Sequence, residues 1–360
     1  MTTVLIMAGG TGGHVFPALA VAEVLRARAC RVVWLGTERG IEARLVPAAG
    51  IPVEWVRVTG LRGKGLGSWL AAPLRLARAL ADSLRAIRRT RPDVVLGLGG
   101  FVSGPGGVAA RLLGRPLVVH EQNAIAGTTN RLLARLAATV AEAFPGSFDA
   151  AVGAVAVGNP VRREIEALAG AAGLRIARTP RQLLVFGGSQ GAALLNRVVP
   201  AALVLLPAAT RPAVLHQTGP GRRDTVAADY ASRGIAADVR DFIDDMAAAY
   251  AWADLAIARS GALTVAELAT TGLPALLVPF AAAVDDHQTA NARFLADRGA
   301  AVLLPERAAT PQRLAGELET LCSADGRRLA AMGAAASRAA APGAAERLAD
   351  LCLAAAGAGA

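Results

Sequence analysis

The sequence predicts an α/β protein built from two doubly wound parallel-sheet domains in tandem. Three observations carry that expectation. Short continuous Val/Leu/Ile runs recur along the chain, helix-length segments separate them, and a glycine-crowded turn follows the first run of each half. The first half has runs at 3–8, 31–35, 52–57, 93–97, 116–120 and 138–141. The second has runs at 182–186, 212–216, 236–240, 254–258, 274–278 and 300–304. Runs that are apolar throughout rather than alternating suit strands covered on both faces. The two turns are "MAGGTGGHVFPALA" at 7–20 and "LLVFGGSQGAALLN" at 183–196, and the halves join near "VGNPVRREI" at 157–165. The alanine-rich tail after about Arg338 has helical composition and no strand signal.

Composition agrees with this reading. A length of 360 residues exceeds one compact core and suits two domains, and 54% hydrophobic against 18% charged residues describes a globular chain. No run suits a membrane span, since the uncharged stretch from Leu268 to Val284 is broken by Pro274 and Pro279. The N-terminus opens on a strand without a basic n-region, so export is not expected. Cys30, Cys322 and Cys352 are odd in number and lack ligand spacing, which predicts plain thiols in a reducing compartment.

Neither glycine turn has the Gly-Lys-Ser/Thr of a Walker A loop. Neither is a dinucleotide fingerprint: the third glycine of the first would fall on Val15, and Glu38 is only a loose ribose-binding match. What remains is shared physics. Glycines expose backbone N–H groups, the following helix presents its positive end, and an anion is favoured there. Thr11 and Ser189 add a hydroxyl at the same relative place in each loop. Paired loops predict two phosphorylated ligands, one per domain.

Seven blocks then occur in order: "GGTGGH" at 9–14, "GGFVSGPGG" at 99–107, "HEQNAIAGTTNR" at 120–131, "GNPVR" at 158–162, "GGSQGA" at 187–192, "RSGALTVAEL" at 259–268 and "DDHQTANA" at 285–292. Together they closely resemble the MurG family of peptidoglycan N-acetylglucosaminyltransferases, in glycosyltransferase family 28, over essentially the whole chain. The resemblance implies a GT-B enzyme with two Rossmann-like domains facing across a cleft. It implies an acceptor-binding, membrane-associating domain at 1–160, a UDP-GlcNAc domain at 161–338, and a C-terminal helix at 339–360 packing back on the first domain. The implied reaction moves N-acetylglucosamine from UDP-GlcNAc to the C4 hydroxyl of the muramoyl sugar of lipid I, with inversion, to give lipid II. The implied place is the cytoplasmic face of the cell membrane, as a peripheral protein, in company with other cell-wall synthesis and division proteins.

Residue by residue, the resemblance puts Ser189 at the donor diphosphate, the Ile243 backbone at the uracil edge and Glu267 at the ribose hydroxyls. Ala262, Leu263, Thr264, Val265 and Ala266 line the same wall, and Gln288 meets the sugar hydroxyls. Thr11, Gly12, Gly13, Asn123 and Arg162 also match family donor-contact positions, while Gly10, Thr11, Gly12, Gly13 and His14 fall to the acceptor diphosphate. Each has a plainer reading. Glu267 could pair with Arg259, Asn123 could serve a turn, and Arg162 and Gln288 could be exposed helix residues.

Inverting transfer needs help in deprotonating a hydroxyl and in neutralising a leaving diphosphate. The second glycine loop, its helix and Arg259 are candidates for the second task. His14 is the expected base because an imidazole titrates near neutrality, with Glu121 as the alternative. His120, after three apolar residues, is expected to be buried at the end of its strand. No Asp-x-Asp pair stands where a metal-dependent enzyme would need one, and with Ile243 in "DFIDD" at 241–245 expected at the uracil, neither a bound metal nor a cofactor is expected.

The net charge of +10 is uneven: from Arg57 to Arg91 nine basic residues face Asp82 alone, including Lys64, the single lysine. Residues 68–89 read as an amphipathic helix with a polar stripe of Arg75, Arg78, Asp82, Arg85 and Arg89. Leu70, Leu74, Ala77, Ala81 and Leu84 form the apolar stripe. With Trp69, Leu61 and Leu66 beside it, the segment suits an anionic membrane surface rather than nucleic acid. Three competing readings stand beside the main one: another UDP-sugar glycolipid transferase, a UDP-GlcNAc epimerase of the same plan, and a non-catalytic nucleotide-sugar sensor. The epimerase would need no acceptor, and the sensor would have no reason to keep His14 and Asn123.

Overall fold

A computed structural model describes residues 1–58, 72–170, 181–188, 191–283, 286–322 and 325–358. The chain divides into two compact units, one of Met1–Arg162 with Gly343–Ala360 and one of Arg163–Pro342.

In the first unit the strands are β1 (Thr3–Met7), β2 (Arg31–Gly36), β3 (Val53–Trp55), β4 (Val94–Gly97), β5 (Leu117–Glu121), β6 (Thr139–Glu142) and β7 (Val155–Ala156). They pair in the order β3-β2-β1-β4-β5-β6-β7, all parallel. Between them run α1 (Gly12–Ala27), α2 (Glu42–Ala48), α3 (Ala72–Thr90), α4 (Ser103–Leu112) and α5 (Thr128–Ala134). One core lies under α1, where Val4, Ile6, Trp34, Val94 and Leu96 meet Val15, Val21 and Leu25. The other lies under α3 and α4, where Leu5, Met7, Val95 and Val119 meet Ala79, Ile87 and Ala109. Successive strand residues feed opposite cores, which is why these strands are apolar without interruption.

The second unit repeats the plan. Strands β8 (Gln182–Phe186), β9 (Ala213–Gln217), β10 (Ala237–Arg240), β11 (Leu255–Ala258), β12 (Ala275–Leu277) and β13 (Ala301–Leu303) pair in parallel in the order β10-β9-β8-β11-β12-β13. Its helices are α6 (Arg163–Glu166), α7 (Ala193–Val204), α8 (Arg223–Ser232), α9 (Met246–Trp252), α10 (Ala262–Thr271), α11 (His287–Ala296), α12 (Pro311–Leu321) and α13 (Arg327–Ala339). The last helix, α14 (Ala344–Ala358), belongs to the first unit, where Leu348, Ala349 and Cys352 fill the core beside α1 and β4.

Two sequence expectations need correction. The short edge strand β7 was not expected. On α3 the inward face is not the expected apolar stripe: Ala79, Asp82, Ser83, Ala86, Ile87 and Thr90 are buried, whereas Leu74 and Leu76 are more than half exposed. Asp82 tolerates burial because Arg57 grips it with Nε at 2.9 Å and Nη2 at 2.8 Å, and Arg85 adds a contact at 3.0 Å. The hydrogen bond from Arg57 holds the Asp82 carboxyl below its usual range against the effect of burial. Ser83 and Thr90 donate back to the Ala79 and Ala86 carbonyls, both at 2.8 Å, so their hydroxyls also enter the core satisfied. Arg89, assigned to the polar stripe, is bound to Glu54. Leu61, Leu66, Trp69 and Leu70 lie outside the described residues.

Candidate active site

In both sheets the strand order reverses beside the first strand, between β1 and β4 and again between β8 and β11. Open parallel sheets bind ligands beyond the carboxyl ends of their strands at such switch points. The segments that follow these four strands are 8–14, 98–103, 187–192 and 259–267, and they hold most of the expected site residues.

In the first unit Gly10 takes φ +91°, a left-handed conformation open to glycine, and turns the chain into α1. A wholly buried carboxylate fixes this turn. Glu42 accepts from the Gly10 N–H at 3.0 Å, the Thr37 N–H at 3.1 Å and the Thr37 hydroxyl at 2.7 Å. Three glycines make room for it, since a Cβ would stand 2.6 Å from its oxygen at Gly9, 1.9 Å at Gly40 and 3.0 Å from its Cγ at Gly36. Gly10 therefore spends its N–H on Glu42. No side chain caps α1, because the hydroxyl of Thr11 lies 3.3 Å from His14 Nδ1 instead. The first turn thus keeps the helix-end character that attracts anions. The His14 ring rests against Gly99, which has φ +100° and whose Cβ would lie 3.0 Å from Nε2.

At the end of β5, Glu121 is 2% exposed and accepts four hydrogen bonds: the Asn123 N–H at 2.9 Å, Asn123 Nδ2 at 3.1 Å, the Gly127 N–H at 3.0 Å and Asn130 Nδ2 at 2.8 Å. Its two oxygens are occupied in holding the 121–130 turn. Asn123 is half-buried in that turn, and the guanidinium of Arg162 lies over the Phe16 ring, 4.9 Å from its centre, on the α1 side. His120 is buried as expected, and burial drives its pKa down to about 4.

In the second unit Ser189 lies outside the described residues. The described glycines on either side are closely held: a Cβ on Gly191 would meet the Thr218 carbonyl oxygen at 2.0 Å, and Gln217 Nε2 donates to the Gly188 carbonyl at 3.0 Å. Asn196, in the first turn of α7, donates to the Thr218 carbonyl at 3.0 Å and accepts from His216, which in turn meets the Tyr230 hydroxyl at 2.8 Å. Burial pushes the His216 pKa down to about 3, so this relay is neutral.

Across the switch point, α10 starts at Ala262. Ala262 and Val265 are buried, Leu263, Thr264 and Ala266 are half-buried, and Glu267 is 5% exposed. Glu267 does not pair with Arg259. Its Oε2 accepts from the Tyr250 hydroxyl at 2.8 Å, while Arg259 pairs with Glu306 at 2.8 Å and donates to the Val278 and Pro279 carbonyls. Arg259 therefore enters any reaction already bound to a carboxylate. Gln288 is brought to this end of the sheet by the Ser260 hydroxyl, which donates to its carbonyl at 2.8 Å, and its Oε1 accepts from the Phe280 N–H at 3.0 Å. Ile243 is buried in the loop after β10. The flanking aspartates work locally: Asp245 caps α9 through the Ala248 N–H at 2.8 Å, and Asp241 accepts from the Arg222 and Arg223 N–H groups. Among the described residues no group of three His, Cys, Asp or Glu is placed to hold a metal.

Sequence reasoning passed over Glu42, Tyr250, Gln217 and Asn196. The one available signal for Glu42 was its place after β2 beside Gly36 and Gly40; Glu38, the acid considered there, is exposed.

Two Rossmann-like sheets, each with a glycine turn at its switch point, have the plan of the GT-B fold. Residues 4–142 match the glycosyltransferase family 28 N-terminal domain and residues 182–348 its C-terminal domain. The chain belongs to that family, and within it to the MurG group. A protein of Nitrosococcus oceani, named UDP-N-acetylglucosamine–N-acetylmuramyl-(pentapeptide) pyrophosphoryl-undecaprenol N-acetylglucosamine transferase, is 58% identical, with 97% of this chain and 98% of that protein covered. A protein of the same name from Thiobacillus denitrificans is 56% identical over 97% of each chain. The crystal structure of Acinetobacter baumannii MurG superposes with a TM-score of 0.81 at 41% identity, covering 98% of this chain and 99% of that one.

Proposed function

We propose that this enzyme transfers N-acetylglucosamine from UDP-GlcNAc to the C4 hydroxyl of the N-acetylmuramoyl sugar of undecaprenyl-diphosphate-linked lipid I, giving lipid II. Glycosyl transfer is the activity of the family, and the names of relatives more than half identical over nearly the whole chain supply the donor and acceptor. The observation that carries the reading is the duplication of the switch-point site, one glycine turn per unit, as two diphosphate-bearing substrates require.

The second unit takes the donor. Glu267, oriented by Tyr250, accepts from the ribose hydroxyls, the Ile243 backbone meets the uracil, and Gln288 meets the sugar. Ala262 to Ala266 line the wall, and the 187–192 turn, with Ser189 and the N-terminus of α7, takes the diphosphate. The first unit takes the acceptor, whose diphosphate lies against residues 11–14, and Asn123 and Arg162 are further ligand-contact residues of that unit. In the reaction the acceptor oxygen attacks the anomeric carbon, the carbon–oxygen bond to UDP breaks, and the hydroxyl proton passes to His14. The Thr11 hydroxyl, 3.3 Å from Nδ1, orients the ring. Glu121, occupied by four donors, is the anchor of its turn rather than the base. Negative charge on departing UDP meets the second glycine turn and its helix dipole.

The enzyme meets its lipid substrate at an anionic leaflet on the cytoplasmic side, where other wall-synthesis and division proteins act on the same lipid. Helices α3, α4 and α5 lie side by side on one layer of the first unit. They expose Leu74, Leu76, Leu112 and Leu132 among Arg78, Arg88, Arg111 and Arg131. No helix among the described residues is long and apolar enough to cross a membrane.

Purified protein incubated with labelled UDP-GlcNAc and a short-chain lipid I analogue is expected to form a disaccharide lipid. Conversion of UDP-GlcNAc without acceptor, and no disaccharide, would overturn the proposal in favour of an epimerase.

A further inference from the structure

Glu306 follows β13, and no motif in the sequence singles it out. Both of its oxygens are taken. Oε1 accepts from Arg259 Nη2 at 2.8 Å and Oε2 from the Ala281 N–H at 2.7 Å. Burial works against the ionised carboxyl, but the hydrogen bonds from Arg259 and Ala281 outweigh it and hold the group below its usual range. Arg259, itself buried, donates through Nη1 to the Val278 and Pro279 carbonyls, both at 3.1 Å. Its guanidinium also lies 5.3 Å from the centre of the Phe280 ring. One carboxylate and one guanidinium thus grip residues 278–281 in succession, just past the carboxyl end of β12.

That turn has a further task. Its Phe280 N–H donates to Gln288 Oε1 at 3.0 Å. A backbone N–H can only donate, so it decides how the Gln288 amide lies: oxygen toward the turn, Nε2 away from it. Gln288 is half-buried, and its Nε2 has no partner among the described residues. The main chain of Gln288 is anchored separately. The wholly buried Ser260 donates to its carbonyl at 2.8 Å, and the Ser260 carbonyl accepts from Asn291 Nδ2 at 3.1 Å. Backbone and amide are therefore held from two sides, and the amide depends on the turn that Glu306 grips.

On the proposed reading, on which this inference rests, Gln288 meets the sugar of the donor. With its oxygen taken it offers N–H alone, and the hydroxyl oxygens of N-acetylglucosamine can accept. We propose that Glu306 is a positioning residue for the donor sugar: acting through Arg259 and the 278–281 turn, it sets the Gln288 amide as a hydrogen-bond donor to that sugar. Its loss is then felt on the sugar and not on the nucleotide, which the Glu267 side holds.

The test compares binding of UDP-GlcNAc with binding of UDP by calorimetry. Glu306→Gln keeps the shape of the side chain but turns an amide N–H toward Arg259 or toward the Ala281 N–H, both of which are donors. It is expected to weaken UDP-GlcNAc binding by about threefold to tenfold and to leave UDP within about twofold. Gln288→Ala should show the same split, and adding Glu306→Gln to it should cost little more, because both act on one contact. Equal losses for the two ligands in Glu306→Gln overturn the assignment and make the residue a support of the unit as a whole. Unchanged binding of both, or a full additional loss in the double variant, overturns it too. If Gln288→Ala binds UDP-GlcNAc as wild type does, the place given to Gln288 in the proposed function falls, and this inference with it.

Discussion

Glu267 can meet ribose hydroxyls only if its carboxylate is held still, and the Tyr250 hydroxyl does this from a fully buried ring. Tyr250→Phe removes one hydrogen bond and is expected to raise the KM for UDP-GlcNAc by about threefold to tenfold, with little change in fold. Glu267→Ala removes the charge-assisted contact itself, and about tenfold to a hundredfold is expected in the same steady-state measurement. The buried histidines give a pH signature. His120 and His216 have folded pKa values near 4 and 3, below the 6.5 of an exposed imidazole. As pH falls through 6.5 the unfolded chain takes up protons that the native one refuses. The stability present at pH 7 therefore drains away, by up to about 1.4 kcal/mol per pH unit and histidine, until the folded values are reached. Thermal melts between pH 7 and 5 should show this slope, and His216→Gln should flatten it.

Among the elements, the turn between β1 and α1 depends on α2, because Glu42 reaches back to the Gly10 N–H. Glu42→Gln turns an amide N–H toward one of its present N–H donors. It is expected to weaken acceptor use at least tenfold, while UDP binding measured by calorimetry stays within about twofold. Helix α3 gives the clearest case of what sequence could not show. Helical spacing placed Asp82 with the exposed arginines, yet its burial depends on Arg57, 25 positions away, and no periodicity reports a distant partner. The strand runs were legible because burial on both faces leaves an uninterrupted apolar signature. Val155–Ala156 was not, since two exposed edge residues have no period. The revised α3 face moves the membrane test to arginines with no acidic partner among the described residues. Arg78→Glu with Arg88→Glu should abolish sedimentation with anionic vesicles, because each basic residue near such a surface contributes about 1 kcal/mol. Turnover of a water-soluble acceptor should persist.

At the scale of the whole molecule, one strand order is used twice, and most of the expected site residues follow the strands where that order reverses. Blocks of sequence far apart thus declare a common purpose: "GGTGGH" and "GGF" lie beside one switch point, "GGSQGA" and "RSGAL" beside the other. The units differ in how they are closed. The second is a single stretch, whereas the first needs α14, whose Leu348 is fully buried against α1 and β4. Leu348→Ala should cost about 2–5 kcal/mol and lower the melting of the first unit selectively, read by hydrogen exchange of its strands.

That arrangement sets an order of events on the ribosome. When residue 342 has been added, every residue of the second unit exists and its sheet can close, but the first, begun earlier, still has an open apolar seam along α1 and β4. The half of the enzyme made first is finished last. Nascent chains stalled before residue 343 would carry that seam uncovered, a sticky surface of the kind chaperones and proteases recognise. Only a chain that has received α14 presents a sealed first sheet.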